Sequence, residues 1–149
     1  MKIYLGADHR GYQLKEKIAR FLFEKGYSFE DMGALSFNPD DDYPVFAEKV
    51  ASMVASEPEN KGILICGSGV GVSIVANKFD NIRAGLGISE KQVESSRRDD
   101  DINILALAAD FTNEAEALKM VLAFLETRFS GEEKHKRRLE DITRIEANN

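Results

Sequence analysis

The stretch "CGSGVG", residues 66–71, sets the chain's only cysteine directly before three alternating glycines. Alternating glycines let backbone N–H groups converge without side-chain obstruction, and a helix starting there adds partial positive charge. Gly67, Ser68, Gly69, Val70 and Gly71 therefore read as an anion cradle. A tight turn holding nothing uses the same glycines, and the pattern is not a dinucleotide fingerprint, because Val72 stands where the final glycine belongs. Cys66 suits a buried packing role. A thiol facing a helix start also has its thiolate stabilised. Beside an anion cradle, such a thiolate can take a proton alpha to a carbonyl, since the enediolate that forms needs donors already aimed at it. The pairing points to isomerase chemistry.

Two further stretches carry reactive groups. "GADHRG" puts Asp8 and His9 where a strand would end, as ligands for a hydroxyl or a phosphate, or as an ordinary surface histidine beside an acid. "KHKRR" at 134–138 is the one dense basic cluster. Its Lys134 and Arg138, at i and i+4, share a helix face and can hold one phosphate; a solvated helix face is the plainer alternative. His135 is turned toward Leu139 and Ile142 and reads as packed.

The elements that must position these groups alternate. "KIYLGA", "YSFEDM", "GILIC", "IRAGLG" and "INILAL" read as five strands. Between them lie helices marked by Leu14, Ile18, Phe21 and Leu22 before Gly26, by Phe46, Val50, Met53 and Val54 behind Pro44, by residues 70–78, and by the polar "SEKQVESSRR". Leu118, Val121, Leu122 and Leu125 mark a long helix from near Thr112. Strands alternating with helices make βαβ units, so the expected fold is α/β: a three-layer α/β/α sandwich on a five-stranded parallel sheet, with function in loops at the carboxyl ends of the strands. A last helix follows the Ser-Gly break at 130–131, and its thin stripe of Leu139, Ile142 and Ile145 is expected to pack on a partner subunit.

Composition narrows the class. The 149 residues, 43% hydrophobic and 31% charged, suit a single domain spanning 1–149. No apolar run approaches a membrane span, and "MKIYLGADH" lacks a secretory cleavage pattern, so a cytoplasmic location is expected, with no membrane partner. One cysteine excludes an internal disulfide and a multi-thiolate metal site. A net charge of −6 removes any general attraction for nucleic acid.

"GADHRGYQLK", "DYPVFAEKVA", "GILICGSGVGVSIVANKFDNIRAGL" and "NILAL", in order along the chain, resemble the type B ribose-5-phosphate isomerase family, which also contains the galactose-6-phosphate isomerase subunits. The resemblance implies Rossmann-like subunits in a homodimer or tetramer with shared active sites. It implies interconversion of an aldose and a ketose phosphate through a cis-enediol, without metal or organic cofactor. Carried over by position, Cys66 is the base, and Ser68 with the amides of Gly67 to Gly71 stabilises the enediolate. Asp8 holds sugar hydroxyls, Tyr43 lines the substrate, and His9, Lys134 and Arg138 meet the phosphate.

The chain also departs from that pattern. The family's ring-opening histidine lies in a His-Asn-Asp-x-Asn stretch that here reads "DDDIN", so Asp99 replaces the histidine and Asp100 the asparagine, while Asn103 is kept. Asp99 acts as the ring-opening acid if Asp100 and Asp101 raise its pKa; otherwise it is a base on the anomeric hydroxyl, or opening is left to solution. Asp110 replaces a phosphate-contacting arginine, and a carboxylate there is expected to weaken the fit to a dianion. The expected pair is ribose 5-phosphate and ribulose 5-phosphate. A hexose 6-phosphate of allose or galactose type, and a noncatalytic anion-binding member, are the alternatives.

Overall fold

Short runs of Ile, Leu and Ala that are apolar at every position suit strands covered on both faces. Residues 3–7 and 104–108 become such strands, buried throughout. In the computed structural model, which describes residues 1–149, the order is β1 (Ile3–Ala7), α1 (Tyr12–Glu24), β2 (Phe29–Asp31), α2 (Tyr43–Ala55), β3 (Lys61–Cys66), α3 (Val70–Ala76), β4 (Ala84–Leu86), α4 (Glu90–Asp100), β5 (Ile104–Ala108), α5 (Glu114–Glu126) and α6 (Glu133–Glu146). All pairings are parallel, and the strand order is β2-β1-β3-β5-β4.

Side chains alternate across the sheet and build two apolar layers. Ile63 and Ile65 of β3 join Ile3, Leu5, Leu105 and Leu107 beneath α1, α4 and α5, where Ile18, Val93 and Phe124 close the layer. Leu64 and Cys66 face the other way, with Tyr4, Ile104 and Ala106, against Val50 and Val54 of α2 and Val72 and Ala76 of α3. Each large aliphatic side chain fully buried in this way contributes about 1.5–3 kcal/mol. Lys15 is buried completely within α1, where Asp31 of β2 and Glu16 meet its ammonium. No helix is long and apolar enough to cross a membrane.

The expected strands and helices are present, and some bounds shift for local reasons. α3 stops at Ala76, because the Asn77 side chain turns onto β4: its Nδ2 donates to Ser73 O and Ala84 O, both at 3.0 Å, and its Oδ1 accepts from Ala84 N at 2.9 Å. α4 runs on through Asp100, so Asp99 and Asp100 are helical, and Asp101 closes the helix in the left-handed region. α5 begins only at Glu114, where Asn113 caps it by accepting from Glu116 N at 2.9 Å. α6 leans on α4, and its Ile142 and Ile145 remain exposed on this chain.

Candidate active site

β1 and β3 lie side by side, and the chain leaves them toward opposite edges of the sheet. A crevice opens between the carboxyl ends of such a pair. Into it project Asp8 and Arg10 from the turn after β1, Cys66 from the end of β3, Ser68 and Gly71 from the loop beyond, and Tyr43 from the start of α2; with Gly67, Val70 and Ile74 they line a cavity of about 290 Å³. Cys66 is 4% exposed and belongs both to the apolar layer under α2 and α3 and to this cavity wall. The thiol is packed on one side and open to a small ligand on the other.

Backbone geometry dominates the loop after Cys66. Gly69 has φ +72°, and a Cβ there would stand 2.5 Å from Leu86 Cδ1, so no other residue fits. Ser68 Oγ accepts from Val70 N at 3.3 Å, while the N–H groups of Ser68, Gly69 and Gly71 make no hydrogen bond within the chain. The β5 exit clamps the same loop from outside, Ala109 N donating to Cys66 O at 2.9 Å and Asp110 N to Gly67 O at 3.0 Å. The result is a rigid ring of free donors beside a thiol.

The turn after β1 is held by Asp8, whose Oδ1 accepts from Arg10 N at 3.0 Å and Gly11 N at 3.1 Å. His9 is fixed by Asp41: Oδ1 accepts from His9 N at 2.8 Å and lies 2.8 Å from His9 Nδ1. That hydrogen bond, with the neighbouring charges of Asp8 and Asp41, raises the His9 pKa and favours the cationic ring. Asp41 Oδ2 is buried without a partner.

The sequence reading overlooked both Asp41 and Arg10. Asp41 is hidden in the acidic run "DDDY", whereas Arg10 becomes meaningful only once the strand order is known. β1 and β5 flank β3 on either side, which brings Arg10 to Asp110, and the two form an ion pair across the cysteine loop. The carboxylate that stands in place of an arginine at Asp110 is thus paired with a cation from the turn after β1.

The remaining predicted site residues lie elsewhere. Cys66 pairs with Ala108 in register, whereas Asn103 precedes β5 at its amino end. Five residues of strand, roughly 16 Å, separate the two levels. Asp99, Asp100, Lys134 and Arg138 gather at that far end, on α4 and α6.

Asp99 is not an acid held neutral by acidic neighbours. A hydrogen bond from Arg98 first, then the charges of Arg98, His135 and Lys134, lower its pKa. Asp101 does not oppose this, because Arg83 and Arg97 hold its two oxygens at 2.9 and 2.6 Å. Asn103 is engaged within its own chain, its Oδ1 accepting from Arg83 N at 2.8 Å and its Nδ2 donating to Asn81 O at 2.7 Å, so it braces a turn and presents no free amide. Asp100 is exposed. His135 is packed, as expected, with Nδ1 2.6 Å from Ser130 Oγ and Nε2 3.9 Å from Asp99. Lys134 reaches Glu132 at 3.0 Å, while Arg138 is exposed and meets no carboxylate. One chain thus places the predicted site residues in two clusters, at opposite ends of the sheet.

Residues 3–142 match the profile of the family described as Ribose/Galactose Isomerase. The chain is 40% identical over 145 residues to the probable ribose-5-phosphate isomerase B of Mycoplasma genitalium, covering 97% of this chain and 95% of that protein. It is 41% identical over 145 residues to ribose-5-phosphate isomerase B of Escherichia coli, covering 97% and 96%. The crystal structure of the Mycoplasma genitalium enzyme with bound ribulose-5-phosphate superposes with a TM-score of 0.96 at 39% identity, covering 99% of this chain and 97% of that one. With the family profile, the sequence identity and the fold all in agreement over nearly the whole length, this chain belongs to the ribose/galactose isomerase family.

Proposed function

We propose that this chain interconverts an aldose phosphate and a ketose phosphate through a cis-enediolate, with ribose 5-phosphate and ribulose 5-phosphate as the pair. The observation that carries the reading is the Cys66 thiol, opening with Asp8 and Ser68 onto one cavity beside unpaired backbone donors. The cavity sits in a fold shared with proteins named ribose-5-phosphate isomerase B.

Cys66, as thiolate, takes the C2 proton of the open-chain aldose and returns it to C1, while the O2 hydroxyl proton moves to O1. The charge that develops on oxygen between these transfers meets the N–H groups of Ser68, Gly69 and Gly71 and the Ser68 hydroxyl, which need no reorganisation to receive it. Asp8 accepts from sugar hydroxyls and Tyr43 walls the cavity. Asp99, held ionised, acts as a base on the anomeric hydroxyl to open the ring.

Cationic His9 meets the phosphate together with Lys134 and Arg138. Because those two and Asp99 stand at the far end of the sheet, a second copy of the chain supplies them, and the exposed Ile142 and Ile145 of α6 are the surface through which it docks. Working as one domain, the chain acts in the cytoplasm, where charged sugar phosphates are confined.

Exchange of the C2 proton of ribose 5-phosphate in deuterated water, followed with wild type and Cys66→Ala beside a panel of hexose 6-phosphates, tests this. Cysteine-dependent exchange fastest with the pentose supports the reading. Exchange fastest with a hexose replaces the substrate, and no exchange with any sugar removes the activity.

A further inference from the structure

We propose that Arg10 is a substrate-binding residue of this site, supplying the one cationic side chain on the wall of the Cys66 cavity, and that Asp110 is the residue that positions it; the proposal rests on the isomerase reading above. Of the residues lining the Cys66 cavity, only Asp8 and Arg10 carry formal charge. An anionic sugar, or the enediolate formed from it, must enter beside the Asp8 carboxylate and a thiolate. Arg10 is the one cationic side chain on this chain's cavity wall, and it adds a formal charge to the loop's free N–H groups against that repulsion.

Placement argues for a built contact. A Cβ on Gly67 would stand 2.5 Å from both Cζ and Nε of Arg10 and 2.8 Å from Asp110 Oδ2, so the ion pair lies directly on the backbone of the residue that follows the catalytic thiol. Asp110 holds this arrangement twice: its N–H donates to Gly67 O at 3.0 Å, and its carboxylate accepts from Arg10 Nη2. Cation, cysteine loop and the exit of β5 are thereby locked in one register.

A guanidinium has five N–H donors, and Asp110 takes only Nη2. The Arg10 side chain remains 58% exposed, so its free donors are available to an incoming anion. The tether keeps the cation beside the thiol without covering it.

Steady-state kinetics on ribose 5-phosphate, with inorganic phosphate as competitive inhibitor, test the proposal in wild type, Arg10→Ala, Arg10→Lys and Asp110→Asn. Loss of a charge-assisted contact in Arg10→Ala is expected to raise KM and the phosphate inhibition constant together, about 10- to 100-fold, with a smaller fall in kcat. Arg10→Lys is expected to recover part of the loss, because a point charge lacks the fork. Asp110→Asn, with Arg10 present but untethered, is expected to fall between wild type and Arg10→Ala. Should Arg10→Ala fail to fold, a raised KM in folded Arg10→Lys carries the test. Active wild type with unchanged KM and inhibition constant in these Arg10 variants overturns the proposal and leaves the isomerase reading intact. Wild type that turns over no sugar phosphate overturns both.

Discussion

The two clusters of predicted site residues stand at opposite ends of the same sheet and are made of different material. At the carboxyl end, the backbone does the positioning: a left-handed Gly69, unpaired N–H groups, and turns pinned by Asp8 and by the β5 exit. At the amino end, long side chains on α4 and α6 do it, through ion pairs such as Arg98–Asp99 and Lys134–Glu132 that are largely open to water. Exposed pairs hold geometry weakly. The carboxyl end is therefore ready for charge that appears during a reaction, whereas the amino end gains definition only when something packs against it.

Five variants break or sharpen that contrast. Cys66→Ala should lower C2 proton exchange by about 10³-fold or more, since the one other base on the cavity wall, Asp8, is held by Arg10 N and Gly11 N, while leaving the far-end cluster intact. Mixing Cys66→Ala subunits with Arg138→Ala subunits, each inactive alone, should restore activity. Random pairing makes half the dimers mixed, each with one intact site, or about one quarter of wild-type turnover. No recovery on mixing would show that each site is complete within one chain.

Gly69→Ala should destabilise the fold by about 1–3 kcal/mol in urea unfolding, because φ +72° and the contact with Leu86 both oppose a Cβ. An equivalent change among the exposed residues of α6, such as Lys136→Ala, should be nearly silent by the same measurement.

The smallest effect concerns His9. Its pKa is raised chiefly by the hydrogen bond it donates to Asp41, so the stability this pair contributes is complete below the ordinary value of about 6.5 and is lost as pH rises through the folded value. Asp41→Asn should bring the His9 titration, read by NMR, back toward that value. The rise of KM with pH should then begin at lower pH than in wild type. A His9 titration that does not move in Asp41→Asn removes Asp41 from this role.

The same contrast explains what could be read before the fold was known. The cysteine loop was legible because glycine spacing is a local demand written in adjacent residues. Asp8, His9 and the strand alternation were legible for the same reason. Arg10 and Asp110 were not, since they are a hundred positions apart and only the order β1-β3-β5 makes them neighbours. Of the roles the sequence left open for Asp99, the acid needed a pKa raised by acidic neighbours, and the pKa is lowered instead, first by a hydrogen bond from Arg98. The helix turns Asp101 instead onto Arg83 and Arg97 and leaves Asp99 to Arg98 and His135. Asn103, singled out by its motif, also braces a turn in the fold, a role set by a partner at Asn81 and another at Arg83 that the motif does not reveal.

The Asn77 side chain has a consequence for solubility. β4 is an outer strand, and an outer strand offers unpaired N–H and C=O groups that can recruit a strand from another molecule. Asn77 occupies both the donor and the acceptor of Ala84, the first residue of that strand, with hydrogen bonds of 2.9 and 3.0 Å. A side-chain amide thus imitates the peptide group of an additional strand and then ends the ladder, because no chain continues beyond it. At Ala84 this edge of the sheet is thereby blocked against pairing with a strand from another molecule.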